Sequence, residues 1–379
     1  MSDLTKLSAP SVRTLAPYVP GKPIEELERE YGIRDSIKLA SNENPLGPGP
    51  MATAAIAAAC RDIGLYPDGN GFALKQALAQ RHGCPIESIT LGNGSNDVLV
   101  MLAEAFLTAD VEAVYSQYAF AVYPIVVQAT GAQARVAPAL PAGHPMALGH
   151  DLDAMARLTN ERTRIVFIAN PNNPTGTWVD AVALRAFIEK LPATTLVVVD
   201  EAYIEYVEDP QLPDTSRWLA EFPNLVVTRT FSKAYGLAGL RVGYALAEPA
   251  VAGMLNRVRQ AFNVNSVALA AARAALKDEE HLRKSITVAR SGLRQVAAGL
   301  DRLGIRHLPS QGNFLLIDCA RPAAAVYEAM LRQGVIVRPV GNYQLPNHLR
   351  LTIGTEAQNQ RMLVALEHAL SVQNPIPSA

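Results

Sequence analysis

Two short stretches of the 379-residue chain, Ile165–Ala169 and Leu196–Val199, are apolar at every position. A strand with one face in water alternates apolar and polar residues, and these stretches do not. Uninterrupted apolar strands are typical of a mostly parallel sheet that helices cover on both faces. Further strand-like runs at Ala113–Tyr115, Leu225–Thr228 and Val242–Ala245, with helical patterns between several of them, predict an α/β fold.

Three regions of the chain differ in composition. Residues 1–50 are rich in proline and glycine and are predicted to form an N-terminal arm that lies on another part of the molecule. Residues 51–275 are predicted to form a large domain around the sheet, and residues 276–379 a smaller α+β C-terminal domain. A single long helical stretch from about Ser266 to Leu303 is expected to join them.

The charge balance excludes several classes of function. The net charge is −1, from 34 basic and 35 acidic residues without a basic block, so binding to nucleic acid or membrane is not expected. Neither a signal peptide nor a membrane-spanning run is found.

Three widely spaced cysteines predict no disulfide framework and favour a reducing, cytoplasmic location. The histidines lack metal-ligand spacing, so no metal site is predicted.

Polar residues follow three of the predicted strands at their C-terminal ends. Asp200 ends one strand, the turn Asn170–Gly176 follows another, and Lys233 comes shortly after a third. Ligands of open α/β sheets bind outside the carboxyl ends of the strands. Taken singly, such an aspartate more often caps a helix, and such a lysine is more often a surface charge. The three together indicate a binding site.

The neighbours of Lys233 suggest what binds there. Thr230, Ser232 and Arg241 supply hydroxyl donors and a planar cation, which are the groups that a phosphate needs. A lysine beside a phosphate site, facing Asp200 across a crevice, fits Schiff-base chemistry with pyridoxal 5′-phosphate (PLP). The sequence therefore predicts a PLP-dependent enzyme.

A second phosphate-binding element is predicted at Gly94, Ser95 and Asn96. These residues follow the strand at Ile89–Leu91 and begin a helix, so helix N-terminal amides are available to an anion. A dinucleotide fingerprint is the competing interpretation. It is disfavoured because Asp97 occupies the position of the third glycine.

These motifs resemble, in order and spacing, the signatures of fold-type I, class II PLP-dependent aminotransferases: Asn170–Gly176, Asp200–Tyr203 and Ser232–Arg241. Other segments resemble the histidinol-phosphate aminotransferase family in particular: Pro17–Pro23, Leu39–Gly47, Tyr66–Gly69 and Leu349–Thr355. The resemblance covers nearly the whole chain. It implies the PLP-dependent transferase fold type I, with a mostly parallel large domain, a smaller α+β C-terminal domain and an N-terminal arm.

The resemblance implies a role for each candidate residue. Lys233 would hold PLP as a Schiff base and then move the substrate proton, while Asp200 would pair with the pyridinium nitrogen. Tyr203 and Asn170 would bind the ring 3-oxygen. Tyr118 would stack on the ring, although Ser116–Gln117 replace the proline and small hydroxyl residue usual before it. The remaining cofactor contacts implied are Gly94, Ser95, Asn96, Thr230, Ser232, Arg241 and, from the partner subunit of a homodimer, Tyr66.

The resemblance also implies the substrate contacts. Arg350 would bind the carboxylate of glutamate or 2-oxoglutarate, and Arg338 and Arg350 together would take the phosphate of histidinol phosphate. Tyr18 and Asn44 are further substrate candidates, with Glu43 beside them. For the arginines and Glu43 the competing interpretation is a solvated charge, and for Tyr18 a residue that fixes the arm.

The expected reaction converts L-histidinol phosphate and 2-oxoglutarate to imidazole acetol phosphate and L-glutamate, by a ping-pong mechanism, in histidine biosynthesis. The same scaffold would also support an aromatic amino-acid aminotransferase or a decarboxylase of a phosphorylated amino acid. A non-catalytic PLP-binding regulator is disfavoured because the chain has no DNA-binding module. The breadth of amino donors and the role of the Pro/Gly-rich stretch Pro138–His150 are left open by the sequence.

Overall fold

The structure is a computed structural model that describes residues 4–371. Helices and strands in this range are numbered in chain order. The α-helices are α1 Ile24–Tyr31, α2 Pro50–Ala59, α3 Phe72–His82, α4 Ser95–Phe106, α5 Val122–Thr130, α6 Leu152–Leu158, α7 Ala181–Lys190, α8 Pro249–Val258, α9 Ser266–Ala275, α10 Glu279–Arg302, α11 Ala323–Leu331 and α12 Glu356–Ser371. None of these described helices is long and apolar enough to cross a lipid bilayer.

The strands form three sheets. Their bounds are β1 Ile37–Lys38, β2 Ile89–Gly92, β3 Glu112–Ser116, β4 Gln133–Ala137, β5 Thr163–Ala169, β6 Leu196–Asp200, β7 Leu225–Thr230, β8 Gly243–Ala247, β9 Arg306–His307, β10 Phe314–Asp318, β11 Val335–Ile336, β12 Arg338–Pro339 and β13 His348–Thr352. The largest sheet has seven strands in the order β2-β8-β7-β6-β5-β3-β4.

The predicted α/β fold with a mostly parallel sheet is confirmed. Strands β3 to β7 run parallel, and only β8 is antiparallel to its neighbours β7 and β2. The apolar side chains of β6 divide between two cores, with Val197 and Val199 in one and Val198 in the other. Both faces of the sheet are therefore buried, which explains why β5 and β6 do not alternate.

The C-terminal part of the chain forms a four-stranded antiparallel sheet in the order β12-β13-β10-β9. It shares a separate apolar core with α10, α11 and α12. The N-terminal segment joins this unit, because β1 pairs with β11 in parallel and Leu27 of α1 packs against Leu331 and Ile336. The domain boundaries given above remain a prediction.

The long helix expected between Ser266 and Leu303 is interrupted. It ends at Ala275 and starts again at Glu279, and Asp278 caps the new helix by accepting a hydrogen bond from the His281 amide. The other carboxylate oxygen of Asp278 accepts a bond from the amide of Met51, which lies in α2. This contact over a long sequence separation ties the break to α2, and helical periodicity alone could not reveal it.

Candidate active site

Strand register brings the predicted site residues to one edge of the seven-stranded sheet. Ala169 of β5 lies beside Asp200 of β6, and Asp200 lies beside Thr228 of β7. The pocket at this edge is also lined by residues of the arm and of the C-terminal sheet. The sequence-predicted residues that line it are Tyr18, Ser95, Asn96, Asp200, Tyr203, Thr230, Ser232, Lys233, Arg241, Arg338 and Arg350.

Lys233 extends into this pocket just after the end of β7. Its Nζ donates a hydrogen bond to the Ser41 carbonyl oxygen at 3.0 Å. Burial, with the positive charges of Arg350 and Arg241 nearby, lowers the pKa of Lys233 to about 7. A substantial fraction of this amine is therefore neutral at neutral pH, as a nucleophile or a proton acceptor must be.

Asp200 is 4% exposed and has no cation in contact with it among the described residues. Its carboxylate accepts hydrogen bonds from Thr228 Oγ1 at 3.0 Å and from the Tyr123 hydroxyl at 3.1 Å. Burial raises the pKa of Asp200 to about 6 despite these donors. A protonated ring nitrogen would supply the missing cation. The sequence analysis did not identify Tyr123.

The Tyr203 hydroxyl accepts hydrogen bonds from two side-chain amides in the pocket, Asn42 Nδ2 at 2.8 Å and Asn173 Nδ2 at 3.3 Å. Asn170, predicted for the same ring oxygen, does not line the pocket. Its amide exchanges two hydrogen bonds of 3.0 Å with the backbone of Val179 and so fixes the turn. Asn173, three residues further along the same motif, lines the pocket in place of Asn170.

A group of residues that forms a candidate phosphate cradle also lines the pocket. Ser95 and Asn96 begin α4, and Arg241 Nη1 donates to Ser232 Oγ at 3.2 Å. Gly94, with φ of 83°, lies behind this guanidinium, since a Cβ there would come within 2.4 Å of Arg241 Nη2. Helix amides, hydroxyls and a guanidinium around one space are the donors that a phosphate monoester needs. Thr230 also borders this space.

Tyr118, predicted from the resemblance to stack on the cofactor ring, does not line the pocket. It lines a different cleft and packs with the cluster formed by Leu316, Val340 and Leu345. Phe120 lines the pocket instead and meets Tyr123 edge to face, with ring centroids 5.8 Å apart. The turn after β3 carries Tyr118 to the C-terminal sheet, and this turn contains Ser116–Gln117, where the resemblance described above is incomplete.

Tyr66 lies outside the pocket of its own chain. Its side chain is 83% exposed and its ring stacks on Phe262, with centroids 4.6 Å apart.

Arg338 and Arg350 are direct cross-strand partners on β12 and β13, so their side chains enter the pocket together. Arg350 is buried and donates to Asn173 Oδ1 and to the Ala40 carbonyl oxygen, each at 2.6 Å, while its Nε has no partner. Neither arginine forms an ion pair with a carboxylate among the described residues. Two uncompensated guanidiniums form a binding site for an anion.

The N-terminal arm borders the pocket beside Arg338. Arg338 Nη2 donates to the Val19 carbonyl oxygen at 2.6 Å, and the Tyr18 ring lies 5.8 Å from the Arg338 guanidinium. Tyr18 therefore lines the pocket as predicted from the sequence, next to the cationic groups.

Asn44 and Glu43 do not line the pocket. The Asn44 amide donates to the Ala234 carbonyl oxygen at 2.9 Å and to Ser285 Oγ at 2.8 Å, and its oxygen accepts from the Leu46 amide. Glu43 pairs with Lys38 at 2.6 Å. Both contacts hold the segment after β1 in place, and Asn42 of the same segment lines the pocket.

The chain matches known proteins over most of its length. Residues 34–366 match the family described as aminotransferase class I and II. It is 57% identical to histidinol-phosphate aminotransferase 2 of Pseudomonas fluorescens strain Pf-5, covering 97% of this chain and 99% of that one. It is 54% identical to histidinol-phosphate aminotransferase 2 of Pseudomonas aeruginosa strain PAO1, covering 98% and 100%.

A solved structure agrees with these sequence matches. Histidinol-phosphate aminotransferase from Sinorhizobium meliloti, crystallised with PLP, superposes with a TM-score of 0.87 at 30% identity. The match covers 96% of this chain and 97% of the other. The fold and the family are thus supported by sequence and by structure.

Proposed function

Because this chain belongs to the class I and II aminotransferases, and within them to the histidinol-phosphate aminotransferase family, we propose the following reaction. The protein transfers the amino group of L-histidinol phosphate to 2-oxoglutarate, in a ping-pong sequence that yields imidazole acetol phosphate and L-glutamate, as a step of histidine biosynthesis. The observation that carries this proposal is the pair Arg338 and Arg350, which face the same pocket as Lys233 without acidic partners.

The residues present fit PLP as the cofactor. When bound, PLP supplies an electron-accepting ring that stabilises negative charge on the substrate carbon next to the transferred nitrogen. Asp200 would hold the proton on the ring nitrogen, and the Tyr203 hydroxyl and Asn173 would contact the ring oxygen. Phe120 would cover one ring face. The phosphate would be held by Ser95, Asn96, Thr230, Ser232 and Arg241.

Lys233 would move the proton during the transfer. Once substrate has bound, Lys233 Nζ would take the proton from the substrate carbon that carries the amino group. It would later return a proton to the cofactor carbon that is bonded to the transferred nitrogen. The lowered pKa, about 7, suits an amine that must accept and release a proton near neutral pH.

The two arginines would recognise both substrates in turn. A carboxylate of glutamate is planar and can take a bidentate bond from Arg350, whereas the phosphate of histidinol phosphate can accept from Arg350 and Arg338 together. One anion site thus serves two substrates with different anionic groups.

The test of this function is a set of single half-reactions, followed by the visible absorbance of the PLP-loaded protein. L-Histidinol phosphate, L-glutamate, L-phenylalanine and L-threonine phosphate are each added alone. Fast bleaching by the first two, with a slow response to phenylalanine, is the expected result. Preference for phenylalanine would move the function to aromatic amino acids, and release of carbon dioxide from threonine phosphate would indicate a decarboxylase.

Removing the Arg350 guanidinium is expected to raise KM for glutamate about 100-fold, because a charge-assisted bidentate bond is lost. Arg350→Ala should retain its PLP, since Arg350 is not one of the residues of the candidate phosphate cradle. Arg332→Ala is the matched control, because Arg332 is exposed and paired with Glu328. Loss of PLP from the Arg350 variant would show that this residue supports the cofactor and not the substrate.

We also propose that two chains form a homodimer through an apolar surface around Tyr66. Ile63, Leu65, Tyr66, Phe72 and Phe262 are all exposed there, and exposed apolar side chains grouped in this way are typical of interaction sites. Tyr66 would reach the cofactor phosphate of the partner. Tyr66→Ala should then weaken PLP binding about tenfold, and a monomer in sedimentation of the wild type would refute the proposal.

A cytoplasmic location is proposed on the state of the cysteines. Cys60, Cys84 and Cys319 are all free in the structure. Free cysteines fit a reducing compartment. Fractionation of cells that express the protein tests this placement.

A further inference from the structure

The hydrogen-bonding capacity of the Tyr203 hydroxyl is already partly used in the pocket. A phenol oxygen has two acceptor sites and one donor proton. Asn42 Nδ2 and Asn173 Nδ2 occupy both acceptor sites, at 2.8 Å and 3.3 Å. The proton of Tyr203 must therefore point to a third partner, and the remaining direction is towards the pocket that Tyr203 lines.

This arrangement requires that both amides present nitrogen and not oxygen to Tyr203. For Asn42 the orientation is fixed by Thr352. The backbone amide of Asn42 donates to Thr352 Oγ1 at 3.0 Å, so the single proton of that hydroxyl is free to bond Asn42 Oδ1, also at 3.0 Å. With its oxygen occupied in this way, Asn42 must direct its NH₂ group towards Tyr203.

For Asn173 the orientation is fixed by a cation. Arg350 Nη1 donates to Asn173 Oδ1 at 2.6 Å, and a guanidinium has no acceptor, so the atom facing it must be oxygen. Arg350 and Thr352 lie two residues apart on β13. Strand β13, which carries Arg350, therefore fixes the orientation of both side-chain amides that donate to Tyr203.

The backbone of Asn42 has a conformation that few residue types adopt readily. Asn42 has φ of 56°, in the left-handed region, and is 1% exposed. Asparagine tolerates this region better than most residues, but glycine adopts it more readily. Glycine at this position would keep the backbone path and remove only the amide, which makes it a clean test.

We propose that Asn42, oriented by Thr352, is a positioning residue that directs the Tyr203 proton towards the PLP ring oxygen. This inference rests on the proposed function, because it deepens the role of Tyr203 in that site. A donor to the ring oxygen withdraws electron density from the conjugated nitrogen that joins PLP to Lys233, and so lowers the basicity of that nitrogen. Loss of the Asn42 amide weakens the donor, because hydrogen bonds in a chain strengthen one another.

The test is a pH titration of the visible absorbance of the PLP-loaded protein. Asn42→Gly and Thr352→Val should each raise the titration midpoint by about 0.5 pH unit or more. Thr352→Ser keeps the hydroxyl, so the titration midpoint of this variant should equal that of the wild type. Turnover of Asn42→Gly should fall severalfold with KM for glutamate unchanged, since Arg338 and Arg350 are intact.

A double variant separates this role from a general structural one. With Tyr203→Phe already present, Asn42→Gly should cause no further shift, because the hydroxyl through which it acts is gone. An equal shift with and without Tyr203, or wild-type midpoints in Asn42→Gly and Thr352→Val, would overturn the proposal. If Asn42→Gly does not fold, Thr352→Val against Thr352→Ser decides alone. A wild-type protein without visible PLP absorbance would instead refute the proposed function.

Discussion

Replacing Lys233 by alanine is expected to lower turnover about 10⁴-fold and to abolish the visible absorbance that depends on covalent attachment of PLP. The variant loses both the nucleophile that holds the cofactor and the base that moves the substrate proton. PLP should still bind without the covalent link, because the cradle around Arg241 is untouched. Turnover and absorbance spectra of the purified variant, saturated with PLP, measure both effects.

The Lys233 experiment has a control variant at Lys75 and a rescue by an added amine. Lys75 is also buried, and burial likewise lowers its pKa, but it lies on α3 outside the pocket and contacts Asn70. Lys75→Met should therefore retain most of the turnover. A small primary amine added to Lys233→Ala should restore part of the activity by acting from the space that the side chain leaves. Unchanged absorbance and turnover in Lys233→Ala would refute the site assignment.

Residues at the ends of strands were predictable, because strand register fixes where they lie. Asp200 ends β6 and Thr230 ends β7, and parallel pairing aligns both strands with β5 at one edge of the sheet. The apolar pattern of β5 and β6 was sufficient to predict that edge. Lys233 follows three residues after β7 and reaches the same pocket.

Residues in turns were less predictable, because contacts distant in sequence choose among neighbours of similar type. Asn173 enters the pocket in place of Asn170 since Arg350 of β13 binds it, while Asn170 is used by Val179. Phe120 lines the pocket, whereas Tyr118 packs with residues of the C-terminal sheet. In each case the predicted residue and the residue that lines the pocket belong to the same short segment.

The N-terminal segment illustrates the same limit at the level of the fold. Strand β1 is only two residues long, and its partner β11 lies almost 300 residues later. So short a strand has no recognisable alternation. The arm was expected to lie on another part of the molecule, but the sequence contained no signal that α1 and β1 would join the C-terminal unit.

Asp200 and Glu201 are adjacent buried carboxylates, but only Asp200 lines the pocket. Asp200 lines it without a cation. Glu201 is equally buried, but its Oε2 accepts from Arg229 Nη2 at 2.6 Å and its Oε1 from Thr215 Oγ1 at 2.6 Å. Successive side chains of an extended chain point to opposite sides, so neighbouring residues of one type can serve chemistry and stability separately.

Asp200→Asn is expected to lower turnover about 10²- to 10³-fold without lowering stability. The amide has the shape of the carboxylate but not the charge that keeps the ring nitrogen protonated, and removing one preorganised charge typically costs this much. Since burial raises the pKa of Asp200 to about 6 in the folded chain, the protein without PLP loses stability as pH rises from about 4 to 6. The neutral amide avoids that loss.

Glu201→Gln is the control variant for Asp200→Asn. Breaking the buried pair with Arg229 costs about 3 kcal/mol, so the melting temperature should fall by several degrees while turnover per folded molecule is kept. Thermal melts of both variants without PLP, and their turnover with saturating PLP, all measured at pH 7.5, separate the two roles. If Asp200→Asn kept wild-type turnover, or if Glu201→Gln lost turnover without losing stability, the assignment of Asp200 as the partner of the ring nitrogen would be wrong.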